Sequence, residues 1–199
     1  MSGTQAHRSV GRPREFDEEK VLVSAMEAFW RKGYEATSLA DLTACTCVNK
    51  ASLYRVFGDK HQLFMAALKN YSDIEFRETT AVISESASPL TNLRAVVQKV
   101  CEDAGSDKGC LMINSMVETA PHDTEVKQLL QEFGTHRLQA VQGMIAQAQA
   151  AGEIRPELDA HKLAVSLMIA FAGSAAMIKG FMSSEKITDN LKDLIDSWT

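Results

Sequence analysis

The sequence predicts an all-α protein of about nine helices, a small N-terminal three-helix domain of helix-turn-helix type followed by a larger C-terminal helical domain. Three observations carry this expectation. Only 4 Pro and 11 Gly interrupt 199 residues, while the good helix formers Ala, Leu, Glu, Lys and Gln are abundant. Apolar residues recur at three- and four-residue spacing in segment after segment. No stretch alternates as a half-buried strand does, and no internal repeat is evident. With 45% hydrophobic residues, the chain is long enough to bury a sizeable core.

The elements follow in order. Residues 1–14 are small and polar with Arg8, Arg12 and Arg14, and read as a flexible basic arm. Asp17 then caps a first helix with Glu18 and Glu19 in its first turn. Leu22, Ala25, Met26 and Phe29 form its apolar face, and Gly33 suits its end. Thr37 or Ser38 starts a short second helix carrying Leu39 and Leu42. A tight break at Cys45–Val48 leads to a third helix over Asn49–Val56, and Gly58-Asp59 opens a fourth with Phe64, Ala67, Leu68 and Tyr71 on one face. Ser88-Pro89 starts a fifth, ending in the loop Gly105-Ser106-Asp107-Lys108-Gly109. A sixth spans about Cys110 to Thr119, and Asp123 caps a long seventh that Gly152 and Pro156 end. The eighth runs from about Asp159 to Phe181 and the ninth from Ser184 to Trp198. The domain boundaries expected are 1–14 for the arm, 15–60 for the helix-turn-helix and 61–199 for the larger helical domain, with the fourth helix (about 60–84) joining the two.

Charge is distributed unevenly. Residues 1–71 hold ten Lys/Arg and eight Asp/Glu, net +2, whereas 72–199 hold eleven and eighteen, net −7, which together give the formal −5 of the chain. Any contact with a polyanion is therefore expected at the N-terminal end. Two short helices joined by a tight turn place the second in the DNA major groove while the first crosses the backbone. Leu39, Leu42, Val48, Leu53 and Phe57 are the expected small core. Asn49, Lys50, Ala51 and Ser52 begin the third helix, where side chains reach base edges, and Asn and Lys carry donors for purines. Asn49 also fits a plain N-cap. Tyr54, Lys60, Thr37 and Ser38 are expected at phosphates, and Arg12 and Arg14 in a minor groove or along the backbone.

The runs Gly33-Tyr34-Glu35-Ala36-Thr37-Ser38-Leu39-Ala40-Asp41-Leu42 and Ala51-Ser52-Leu53-Tyr54-Arg55-Val56-Phe57-Gly58-Asp59-Lys60 resemble the TetR family of one-component regulators. The likeness covers about residues 11–71, and more loosely the second half through Gly109-Cys110-Leu111 and Glu118-Thr119-Ala120-Pro121-His122-Asp123. It implies a homodimer built on the last two helices, a palindromic double-stranded operator, and a small-molecule cavity among helices five to eight. It also implies phosphate contacts at Tyr54 and Lys60, and repression relieved by ligand. One departure stands out: the family usually has Gly in the turn where this chain has Cys47.

The eighth helix is apolar nearly all round and offers small residues for close approach. Ala170, Gly173, Ser174 and Met177, with Leu191, Leu194 and Ile195 of the ninth, are the expected dimer seam, although a central core helix would look the same. Met112, Met116, Phe133, Met168, Phe171 and also Met144 suit a ligand cavity, yet Met and Phe at this spacing serve equally as core. Asn114 and Glu118 could orient a polar ligand group or simply face water. Cys110 follows Lys108 at a helix start, a setting that would lower a thiol pKa, so it is a candidate sensor of oxidants or electrophiles with Cys101 as resolving partner; the competing reading is a small buried hydrophobe.

Cys45 and Cys47 lack a second pair and a nearby His, and His122, His136 and His161 form no cluster, so no metal and no cofactor are expected. The apolar run Leu163–Ile178, bounded by Lys162 and Lys179, is 16 residues, short for a membrane span. A polar start and four Cys suggest a reduced, cytoplasmic protein. The leading expectation is a sequence-specific DNA-binding regulator, a repressor released by a small effector or by thiol modification. An activator, a ligand-blind DNA-binding protein or a helical thiol enzyme are the alternatives; no C-x-x-C, nucleotide-binding glycine loop or nucleophile–base pairing supports the last.

Overall fold

The computed structural model describes residues 16–105 and 108–199. Among these the chain forms nine helices and no strand: α1 (Glu18–Lys32), α2 (Leu39–Thr46), α3 (Lys50–Phe57), α4 (Lys60–Thr80), α5 (Pro89–Ala104), α6 (Leu111–Glu118), α7 (Thr124–Ala150), α8 (Ala160–Gly180) and α9 (Ser184–Asp196). Arg12 and Arg14 lie outside the described residues. The fourth helix stops at Thr80 rather than near 84: Ala81 is its C-cap, and Val82 and Ile83 beyond it are exposed and have no core to hold them.

Local chemistry sets the boundaries. Asp17, Ser38, Asn49 and Asp59 each accept a backbone N–H from the first turn of the helix they start, at 3.2, 3.1, 2.9 and 2.8 Å. Such caps contribute about 1 kcal/mol each. Ser38 and Asp41 cap reciprocally, the Asp41 carboxylate accepting the Ser38 N–H at 2.9 Å. Ser88 caps α5 and Pro89 fills its first position, where the missing N–H costs nothing. Cys47 stands at φ 55°, ψ 25°, the one non-glycine described residue with positive φ. The turn therefore does require the left-handed conformation that glycine adopts freely.

Two apolar clusters make the core. The first joins Val21, Ala25, Met26, Phe29, Leu42, Val48 and Leu53 to Leu63, Phe64, Ala67, Leu68 and Tyr71 of α4. It continues into Leu111, Met112, Val126, Leu129 and Leu130 of α6 and α7, so the packing runs straight through the expected boundary at 60/61. Phe64 meets Phe29 edge-on at 5.0 Å between centroids and Tyr34 at 4.7 Å. The second cluster unites α5, α7, α8 and α9 around Leu93, Val97, Val141, Ile145, Leu167, Ile187 and Ile195.

Helix α8 spans 21 residues rather than the 16 of its uninterrupted apolar run. By length and composition alone it could cross a bilayer, and only 22% of its most apolar stretch is buried within the chain. Length alone therefore does not set it apart from a membrane segment.

Candidate functional site

The tip of the molecule is the α2–α3 unit. Ser38, Asn49, Lys50 and Ala51 are exposed, and Ser52, Tyr54 and Lys60 are half-buried. Asn49 commits its Oδ1 to the α3 cap through the Ser52 N–H, so its amide nitrogen is the group that could donate to a base edge. Lys50 Nζ lies 5.8 Å from the Tyr54 ring, which groups a cation and a phenol on one side of α3. Lys60 Nζ rests over the Tyr34 ring at 4.5 Å and donates to the Glu35 carbonyl at 3.4 Å, a half-engaged cation at the mouth of the unit.

Thr37 corrects its expectation. Its side chain is fully buried and its hydroxyl donates to the Gly33 carbonyl at 2.6 Å, so it closes the α1–α2 turn and presents nothing to a phosphate. Lys32 pairs with Asp41 across the same turn.

The three-helix unit is tied to the rest of the chain by contacts that sequence spacing did not reveal. The Trp30 indole N–H donates to the Gly109 carbonyl at 3.0 Å. Lys108 Nζ stands 3.8 Å from the Trp30 ring centroid and reaches both Glu27 oxygens at 3.0 Å. Glu118, at the end of α6, accepts the backbone N–H of Tyr34 at 3.1 Å and of Glu35 at 3.0 Å. His61 of α4 meets Asp123, the α7 cap, at 2.7 Å. The sequence marked Asp123 as an N-cap and as the end of the run 118–123, not as a partner of His61; the other partners lie about eighty residues apart in sequence.

The expected sensor residues do not converge. Met112 is buried in the first cluster with Cys110 and Phe133 packed against it, whereas Met144, Met168 and Phe171 pack on the second, and Met116 is exposed. An open cleft of about 470 Å³ lies between α1, α6 and α8, and of the expected set only Asn114 and Glu118 line it.

Cys110 is the α6 N-cap residue but makes no side-chain cap. Its thiol is pushed up, not down: burial does most of this and the nearby Glu75 carboxylate adds to it, against smaller help from the Ile113 N–H, Tyr71 and Arg137. Lys108, expected to acidify it, is committed to Glu27. Cys101 is buried in the other cluster and its thiol is likewise raised by burial, so a resolving role across the loop has no support in the packing. Cys45 and Cys47 are exposed. Among the described residues no group of His, Cys, Asp and Glu could hold a metal.

The expected dimer seam also sorts into two sets. Leu191 and Ile195 are buried in the chain's own core, and Ser174 is buried with its hydroxyl donating to the Ala170 carbonyl at 2.6 Å. Leu191 and Ile195 face inward because α9 packs its apolar side on α5. Ala170, Met177 and Leu194 are half-buried against the second cluster. Gly173 is exposed with open space beside it, and Ile169 and Ala176 are exposed on the same stripe.

This arrangement, a short capped helix projecting from a left-handed turn on a small three-helix core, is that of a helix-turn-helix DNA-binding protein. The family profile described as bacterial regulatory proteins, tetR family, matches residues 21–67, and the tetracyclin repressor-like C-terminal domain matches 88–194. The chain belongs to the TetR family, and it is a DNA-binding transcriptional regulator of that type. It is 33% identical over 184 residues to the HTH-type transcriptional repressor ComR of Escherichia coli, covering 90% of this chain and 88% of that protein. Identity to the HTH-type transcriptional regulator TtgR of Pseudomonas putida is 25%, over 90% of this chain and 86% of that one. A cysteine mutant of the TetR family transcriptional regulator CifR, complexed with 26-bp double-strand operator DNA, shares the fold at a TM-score of 0.82 and 25% identity, covering 95% of this chain and 100% of that one.

Proposed function

We propose that the protein is a repressor that binds a palindromic operator as a homodimer and is released by a small effector. The observation that carries this reading is the α3 face: Asn49, Lys50 and Ala51 stand exposed at the helix start, flanked by Tyr54 and Lys60 for phosphates. One such helix contacts few base pairs, so specific affinity needs a second half-site and hence a two-fold dimer. The stripe Ile169, Gly173 and Ala176 on α8 offers an apolar, close-packing surface for that dimer, and its burial removes the helix from water. The exposed stripe replaces Leu191, Ile195 and Ser174 as the expected seam. A soluble, cytoplasmic setting goes with this function.

Release by a small molecule is favoured over release through Cys110, whose raised thiol pKa leaves little reactive thiolate. The test is selection of duplexes from a random library, followed by anisotropy titrations. The expected result is a two-fold symmetric site, a complex of two chains per duplex, and affinity that falls steeply with salt. Binding without sequence preference would replace the reading by that of an architectural DNA-binding protein.

A further inference from the structure

The turn that joins α1 to α2 is built to hold a carboxylate. Gly33 sits at φ 84°, and the next two residues, Tyr34 and Glu35, turn successive backbone N–H groups to the same side. Both are taken by one carboxylate, that of Glu118, at 3.1 and 3.0 Å through its two oxygens. Adjacent N–H donors on a positive-φ turn form a concave anion site. The absence of a side chain at position 33 is part of it, because a Cβ there would stand 2.7 Å from the Glu118 carboxylate.

The occupant comes from the other domain. Glu118 is the last residue of α6, the helix that links the α4 side of the sensor to α7, and it reaches across 84 residues of sequence to Tyr34. Beside it, Thr119 is 5% exposed and its hydroxyl has no hydrogen-bond partner, while its backbone N–H closes the helix on the Ser115 carbonyl at 3.0 Å. The cleft of about 470 Å³ opens beside this seat, with Trp30, Val117 and Lys179 among its walls, and gives small solutes a route to it.

We propose that the Gly33–Glu35 turn is a carboxylate seat, that Glu118 occupies it as the sensor's latch on the DNA-binding unit, and that withdrawal of Glu118 is what uncouples the two. The ligand class the seat takes is a carboxylate, from Glu118 itself or from a small acid entering the cleft. This rests on the DNA-binding reading above only for its functional consequence; the seat can be judged without DNA.

Glu118→Ala and Glu118→Gln in the full chain test it, with amide hydrogen exchange at Tyr34 and Glu35 and operator affinity as two separate readouts. In Glu118→Ala both amides lose protection and operator affinity falls about tenfold, within the usual range of coupling energies; Glu118→Gln, which keeps one acceptor oxygen, retains part of both. Added propionate restores amide protection in Glu118→Ala, whereas propionamide at matched ionic strength does not. Propionate leaves operator affinity low, because a free acid fills the seat without joining it to α6. Unchanged exchange in Glu118→Ala overturns the seat. Lost protection with wild-type operator affinity overturns the latch. If the wild-type chain selects no duplex at all, the DNA-binding reading falls while the exchange and rescue data still decide the seat.

Discussion

The Arg137 guanidinium of α7 pairs with the Glu75 carboxylate of α4, and the Glu75 side chain is only 13% exposed. Burial would lower the Arg137 pKa, but the Glu75 charge and hydrogen bond raise it overall. Tyr71 and Cys110 share the site, and burial drives the Tyr71 phenol far above its ordinary range. Arg137→Met strands a carboxylate away from water and is expected to cost about 3 kcal/mol. Adding Glu75→Gln should recover a good part of that loss. Urea unfolding of the two single variants and the double variant measures the coupling; additive losses would mean that the pair is not a unit.

Thiol chemistry should follow exposure. Cys47 and Cys45 are exposed, while burial pushes the Cys110 and Cys101 thiols up from their ordinary value. Brief treatment with iodoacetamide at neutral pH is expected to label Cys47 first and to reach Cys110 only on unfolding or at strongly alkaline pH, as read by peptide mass spectrometry. Rapid neutral labelling of Cys110 would restore it as a sensor candidate.

Cys47 holds a left-handed conformation without being glycine. Cys47→Gly is expected to stabilise the chain by about 0.5–1 kcal/mol, the strain relieved exceeding the entropy glycine adds to the unfolded state. Thermal melts check the sign. Operator affinity should be unchanged, since the turn geometry is kept.

Asp123 carries a pH-dependent share of stability. Burial tends to raise its pKa, but N–H groups of Val126 and Glu125 and the His61 partner outweigh this and lower it. A lowered folded-state pKa means that its contribution is complete above the ordinary carboxylate range and is lost as pH falls through the folded value. The stability gap between the wild type and Asp123→Asn should therefore shrink on acidification between about pH 5 and pH 1. Denaturation curves across that range test it; a gap that widens in acid would refute the assignment.

Thr37 and Lys50 separate folding from recognition. Thr37→Val keeps the shape but leaves the Gly33 carbonyl without its hydroxyl donor, which should cost about 1–3 kcal/mol of stability. Lys50→Ala should leave the melt unchanged and cost about 1–3 kcal/mol of operator affinity, with relaxed preference at one base position. Melting and anisotropy on the same preparations distinguish the two.

What could be read from the sequence was what is local. Asp17, Ser38, Asn49 and Asp59 precede their helices by one residue and declare them, and Leu42 and Leu53 sit at spacings that face a core. The strain at Cys47 was equally legible, because one residue type at one turn carried it. Glu118 was not, since nothing within its own helix distinguishes a carboxylate that faces water from one that reaches Tyr34. Thr37 and Ser38 are both good cap residues, and only the packing of α1 decides that one is buried. Met168 and Met112 share a pattern but enter different clusters, because helical spacing names a buried face without naming its neighbour. On α8 the pattern failed altogether: with apolar residues on every side, periodicity could not say that Ser174 turns inward and Gly173 outward.

Helix α8 has one more consequence. In the dimer proposed above, the exposed stripe of α8 is covered only after the intramolecular contacts are complete. The last burial step is then second order in protein, so the melting temperature should climb with concentration. Dilution would expose the seam and favour aggregation, and the cellular abundance of the regulator would set its lifetime as well as its occupancy of DNA.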